Sequence, residues 1–85
     1  MNRLDAMTTF LRVAELGSFA AAASQLGVAR SVITRQIAAL EEHLGIKLMV
    51  RTTRRLTLTA GGAAYLEKCR EILDLVESAE AEVMA

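Results

Sequence analysis

Nine polar side chains in two short stretches carry the chemistry available to this chain: Arg30, Ser31, Thr34 and Arg35, then the unbroken run Arg51-Thr52-Thr53-Arg54-Arg55. Guanidinium and hydroxyl groups donate hydrogen bonds, and the arginines add fixed positive charge. That combination suits phosphate oxygens and the acceptor-bearing edge of a DNA major groove. Bond-making chemistry finds no comparable support. His43 is the only histidine and Cys69 the only cysteine, too few for a metal site of the usual ligand number. No Ser-His-Asp arrangement is visible, and Gly61-Gly62 alone does not make a phosphate-cradling loop. The chain therefore reads as no enzyme, with no cofactor and no metal. His43 is expected to face solvent or the carbonyls that end a helix, and Cys69 to act as a small buried hydrophobe.

Three helices must position the first stretch. Leu4, Met7, Leu11 and Ala14 recur at helical spacing beside Phe10, and Gly17 follows where that helix should stop. Ser18 is a plausible N-cap for a short second helix through Leu26. Its run Ala20 to Ala23 lets a neighbouring backbone approach closely, while Phe19 and Leu26 anchor its ends. Gly27 supplies a permissive turn. A third helix runs from about Arg30 to Leu44, with Ile33, Ile37, Leu40 and Leu44 as its inward stripe and Gly45 at its end. Two helices joined in this way match a helix-turn-helix. Arg30, Ser31, Thr34, Arg35 and Ala38 fall within about 140° on the other side of the third helix. Taken by itself, such a surface is an ordinary exposed helix face.

The second stretch changes that balance. Leu48 and Val50 alternate with Met49, and Leu56-Thr57-Leu58 alternates again beyond the basic run. The pattern predicts a two-stranded hairpin over residues 46–58 with a cationic tip, a wing beside the helix-turn-helix. Its arginines can reach backbone phosphates or a narrow, strongly negative minor groove. An isolated loop of three arginines is usually a solubility device; one beside a recognition helix reads as a DNA contact.

From Thr59 the pattern is helical to the end. Tyr65, Cys69, Ile72, Val76, Ala79 and Val83 are spaced 4, 3, 4, 3 and 4 apart, a heptad seam flanked by Leu66, Leu73 and Leu75. A helix over residues 60–84 is about 37 Å long, too long to hide within one small domain. The expected role is dimerisation through Tyr65, Cys69, Ile72, Leu73, Val76, Ala79 and Val83, with one flank packing on its own domain. The alternative is a helix that closes an intramolecular bundle. Charge divides at the same place. The 85 residues have no net charge, yet residues 1–58 hold eight bases against four acids and residues 59–85 hold two against six. A basic, nucleic-acid-facing part joined to an acidic part that does not touch it gives this pattern, as does a solvated surface split by accident.

With 53% hydrophobic and 24% charged residues and no proline, the chain is expected to be ordered and mainly helical. No apolar stretch reaches the length of a membrane span, and the N-terminus shows no signal-peptide pattern. A cytoplasmic protein is expected.

Together these landmarks resemble the N-terminal DNA-binding domain of LysR-type transcriptional regulators: Gly17-Ser18-Phe19, Ala22-Ala23, Leu26, Val32 through Ile37, Leu40-Glu41, Leu44-Gly45, Leu48, Arg51, Arg54, Leu58-Thr59 and Gly62. The resemblance covers essentially the whole chain. It implies a mainly α winged helix-turn-helix, with three helices and a two-stranded β-hairpin wing over residues 1–58. A long dimerising linker helix over 59–85 would follow. The implied function is sequence-specific binding of double-stranded operator DNA at inverted repeats in bacterial promoters, as a homodimer at the nucleoid. By resemblance Ser31, Thr34 and Arg35 face the groove, and Arg51 and Arg54 belong to the wing, Arg54 toward the minor groove.

Some residues depart from the family pattern, which often has serine, glutamine and proline where this chain has Ala29, Arg30 and Ser31. Ala29 offers no side-chain cap, and an arginine at 30 suits either a guanine edge or a phosphate. Met49 stands in a place usually held by phenylalanine, and Arg55 adds charge at the wing tip. The family's small-molecule effector is bound by a larger C-terminal domain absent from these residues, so the chain reads as a DNA-binding fragment or a natural truncation. The competing reading is a helical module that dimerises or binds protein without touching DNA.

Overall fold

A computed structural model describes residues 1–52 and 55–84; Thr53, Arg54 and Ala85 lie outside the described residues. The elements are α1 (Arg3–Leu16), α2 (Phe19–Leu26), α3 (Arg30–Leu44), β1 (Met49–Arg51), β2 (Leu56–Leu58) and α4 (Ala60–Met84). The architecture is the mainly helical, winged helix-turn-helix expected from sequence.

Local chemistry explains the boundaries. Asn2 Oδ1 accepts from the Asp5 N–H at 3.1 Å, and Ser18 Oγ accepts from the Ala21 N–H at 3.1 Å, capping α1 and α2. Gly27 closes α2 with φ of 70°, a left-handed conformation that costs a glycine little. This lets α3 leave at the angle that a helix-turn-helix needs. Ala29 precedes α3 without any side-chain cap, as expected.

The core gathers one face from every helix. Phe10, Val13, Ile33, Leu40, Leu48 and Cys69 have no appreciable exposure, and Ala6, Met7, Leu11, Phe19, Ala22, Ala23, Ile37, Met49 and Leu66 complete the cluster. Leu4, placed by its spacing on the inward stripe of α1, lies instead at the exposed start of the helix. The small face of α2 behaves as expected, with Ala22 and Ala23 inside against α3 while Ala20 and Ala21 face out. Thr9, the buried polar residue of α1, has its hydroxyl satisfied by donating to Gln36 Oε1 of α3 at 2.6 Å.

The first turns of α4 form the remaining wall of this core. Tyr65 packs on Phe10 with ring centroids 5.9 Å apart. Burial raises the Cys69 thiol above its ordinary pKa, and a hydrogen bond with Tyr65 pulls the other way. This corrects the expected dimer seam: Cys69 is fully buried in its own domain, and Tyr65 and Leu73 pack partly against the same cluster. The upper part of the seam remains open, since Ile72, Ala79 and Val83 are exposed and Val76 is half-buried. Leu75 is also exposed beside them.

Candidate nucleic-acid interface

The hairpin is held to α3 and α4 by polar contacts at its base. The β strands pair antiparallel, Met49 opposite Leu58 and Arg51 opposite Leu56. Near the tip the Thr52 N–H donates to the Arg55 carbonyl at 2.8 Å, and the Arg55 N–H donates to Thr52 Oγ1 at 3.1 Å. At the base, Glu41 of α3 accepts the Leu48 N–H through Oε2 at 2.8 Å and has Lys47 Nζ 3.7 Å from Oε1. Thr59 joins the other strand to α4. Its Oγ1 donates to the Lys47 carbonyl at 2.6 Å and accepts from the Gly62 N–H at 2.9 Å. Both strands are thereby aimed by the helices they leave and enter.

Arg51 brings the wing against the helix-turn-helix. Its guanidinium lies 4.4 Å from the centroid of the Phe19 ring, the first residue of α2. A cation over an aromatic face is favourable by about 0.5–1 kcal/mol at an exposed site. Phe19 is otherwise core, so the same ring roots α2 and holds the base of the wing arginines.

Two recesses open on either side of this stack. One, of about 320 Å³, is lined by Ser18, Phe19 and Ala20 at the start of α2, Arg30 at the start of α3, and Arg51, Thr52 and Arg55 of the hairpin. The other, of about 280 Å³, runs between Thr34 and Ala38 of α3 and Lys47 and Arg51 of the hairpin strand and its approach. Arg30, Arg51 and Arg55 thus converge from separate elements. Thr34 is exposed, its hydroxyl 3.2 Å from the Arg30 carbonyl to which it donates. Ser31 is exposed on the same helix. Arg35 does not join the arginine cluster; it lines a recess of about 250 Å³ with Met1, Asn2, Val32 and Gln36 on the other flank of α3. The expected wing residues Thr53 and Arg54 lie outside the described residues.

Charge sorts cleanly over the surface. Among the described residues the ion pairs engage Arg12, Lys47, Lys68 and Arg70, and none engages Arg30, Arg35, Arg51 or Arg55. The acids cluster instead along α4, where Asp74, Glu77 and Glu80 face Arg12 and Glu15 of α1. The division of charge seen in the sequence is therefore spatial as well.

Sequence reading missed three participants. Phe19 was placed only in the core, and nothing in the chain's local pattern pairs residue 19 with residue 51. Glu41 appeared only as a landmark, and no local pattern ties this carboxylate of α3 to the Leu48 N–H that it accepts. Lys47 entered only the charge count.

A helix-turn-helix whose exposed helix is flanked by a hairpin with Arg51 and Arg55 free of ion pairs among the described residues defines a winged helix-turn-helix DNA-binding domain. The family described as "Bacterial regulatory helix-turn-helix protein, lysR family" matches residues 4–63. The chain belongs to this LysR family, a family of transcriptional regulators and not of enzymes. A transcriptional repressor of the helix-turn-helix type from Pseudomonas aeruginosa is 43% identical over 81 residues, covering 95% of this chain and 26% of that protein. The chain thus spans about a quarter of the length of the relatives it matches. Among solved structures, the CbnR DNA-binding domain in complex with DNA is 42% identical with a TM-score of 0.89, covering 95% of this chain and 93% of that one. The BenM DNA-binding domain with catB site 1 DNA is 32% identical with a TM-score of 0.92, covering 95% and 90%.

Proposed function

We propose that this domain binds operator DNA sequence-specifically as a homodimer and regulates transcription in the bacterial cytoplasm, at the nucleoid. In this reading the outward face of α3, with Ser31, Thr34 and Arg35, enters a major groove. The hairpin arginines Arg51, Arg54 and Arg55 follow the flanking backbone or minor groove, with Thr52 and Thr53 at the tip. The observation that carries the reading is the convergence of Arg30, Arg51 and Arg55, without carboxylate partners, beside an exposed recognition helix. Support also comes from the DNA complexes of two similar domains. No described helix is long and apolar enough to cross a membrane. A small-molecule effector, in this reading, is bound by a further domain and not by these residues.

The test begins with sites selected by the domain from a random pool of duplex DNA. Gel shifts on the selected site and its single-base variants then separate the two kinds of contact. Arg35→Ala should weaken binding and flatten the preference at one or two base pairs, whereas Arg55→Ala should weaken binding to all sequences alike. The reverse pattern, or no selected site at all, refutes the proposal. With about six phosphates neutralised, log affinity should fall against log salt with a slope near −5.

A further inference from the structure

Resting on that DNA-binding reading, we infer that Arg30 closes a three-arginine clamp with Arg51 and Arg55 on a single backbone phosphate, and reads no base. The clamp fixes how deeply α3 enters the groove. Position on the helix argues first. Taking Ile33, Ile37, Leu40 and Leu44 as the inward stripe, Arg30 lies only about 50° from its centre, not on the opposite face with which the sequence pattern grouped it, whereas Ser31 and Arg35 lie about 150° and 170° away. Bidentate contact with a guanine edge requires a side chain aimed at the groove floor. Arg30 leaves α3 on its flank, toward the wing.

Surroundings argue second. Arg30 shares one recess of about 320 Å³ with Arg51 and Arg55, and the three come from the start of α3, the end of β1 and the residue just before β2. None of them has a carboxylate partner among the described residues. Three guanidinium groups around one hollow repel one another until an anion enters. The same hollow is bordered by the start of α2, where Ser18 caps Ala21 and leaves the N–H groups of Phe19 and Ala20 without a helical partner. The arginines and helix-start N–H groups that border the hollow suit an oxygen-rich anion such as a phosphate of the DNA backbone. The stack of Arg51 on Phe19 presets one arm of the clamp before DNA arrives.

Sites selected by the domain from random DNA provide the probe. Arg30→Ala should lower affinity about tenfold, the scale of a lost charged hydrogen bond, and by the same factor on the selected site and on each single-base variant. The log–log salt slope should become shallower by about 0.9, and Arg30→Lys should restore it. Neutral methylphosphonates placed at successive backbone positions should reveal one position where Arg30→Ala and Arg55→Ala cause no further loss. Different positions for the two variants overturn the clamp. So does an Arg30→Ala defect confined to one base pair with an unchanged salt slope, or no defect at all. If the wild-type domain selects no DNA, the DNA-binding proposal itself has failed, a result distinct from any of these.

Discussion

Arg51 holds its place through a stack rather than an ion pair, and that choice has a measurable consequence. A guanidinium is planar and weakly hydrated, so with its carbon 4.4 Å from the Phe19 centroid it can cover the ring and still donate to phosphate. Lysine keeps the charge and loses the flat face. Arg51→Lys should therefore weaken DNA binding by no more than about fivefold on every sequence, since an ammonium over the ring retains part of a cation–π contribution of about 0.5–1 kcal/mol. The salt slope should stay unchanged, because the number of charges is the same. Fluorescence anisotropy across a salt series checks both parts, and a changed slope would show that the stack is not the difference. At this scale the sequence revealed which residues are exposed and basic, because helical spacing and strand alternation sort inside from outside. It did not reveal which of them meet. Arg30 and Arg35 are five positions apart on one helix and line recesses on opposite flanks, and the position of the hairpin decides that Arg30 is the one that meets the wing.

Between elements, the sensitive point is the junction of hairpin and α4. The Thr59 N–H donates to the Leu48 carbonyl at 3.0 Å while its hydroxyl joins Lys47 to the first turn of α4. Gly62 sits in that turn against the Leu48 backbone, and a Cβ there would run into the Leu48 carbonyl. Backbone cannot rotate away as a side-chain tip can. Gly62→Ala should therefore destabilise the domain by about 1–3 kcal/mol, visible as a lower Tm in thermal unfolding. Because α4 and β1 would be pushed apart, the wing should also shift from α3, and DNA affinity should fall even well below the Tm. An unaltered Tm would mean that the two elements are not in register as described. The start of α4 was legible from Thr59 onward, but the Leu48 backbone that meets Gly62 was not. The C-terminal ends of α1, α2 and α3 were also legible, because Gly17, Gly27 and Gly45 follow their apolar stripes. The hairpin proved shorter than its alternating pattern, with strands of three residues each. Residues 46–48 are spent instead on reaching the core through Leu48 and on the bonds to Glu41 and Thr59.

For the whole molecule, α4 has two sides with different obligations. Gly62, Leu66, Cys69 and Leu73 face the domain's own core, while Ile72, Leu75, Ala79 and Val83 lie about 100° away around the helix and are exposed. The heptad spacing in the sequence merged these two faces into one seam, because periodicity marks apolar positions without saying whether they pack within a chain or between chains. Burial of Cys69 separates them. Leu75 and Val83 are 68% and 82% exposed, and a helix end carrying such residues beyond its own domain gains by pairing with a second copy about a two-fold axis. Two recognition helices would then be set to meet half-sites one or more helical turns apart, about 34–36 Å for a single turn. Ile72 offers a clean test because it belongs to the open face, so its replacement leaves the core intact. Ile72→Glu should keep the Tm nearly unchanged and give monomers in sedimentation equilibrium, since a carboxylate at the centre of the paired helices loses its water without gaining a partner. Affinity for a two-half-site operator should fall about a hundredfold or more as the second half-site ceases to be bound at high local concentration, while affinity for an isolated half-site stays as it was. A dimer that persists in this variant would place the contact between copies elsewhere on the molecule, and unchanged operator affinity in a monomeric variant would show that the two half-sites are read independently.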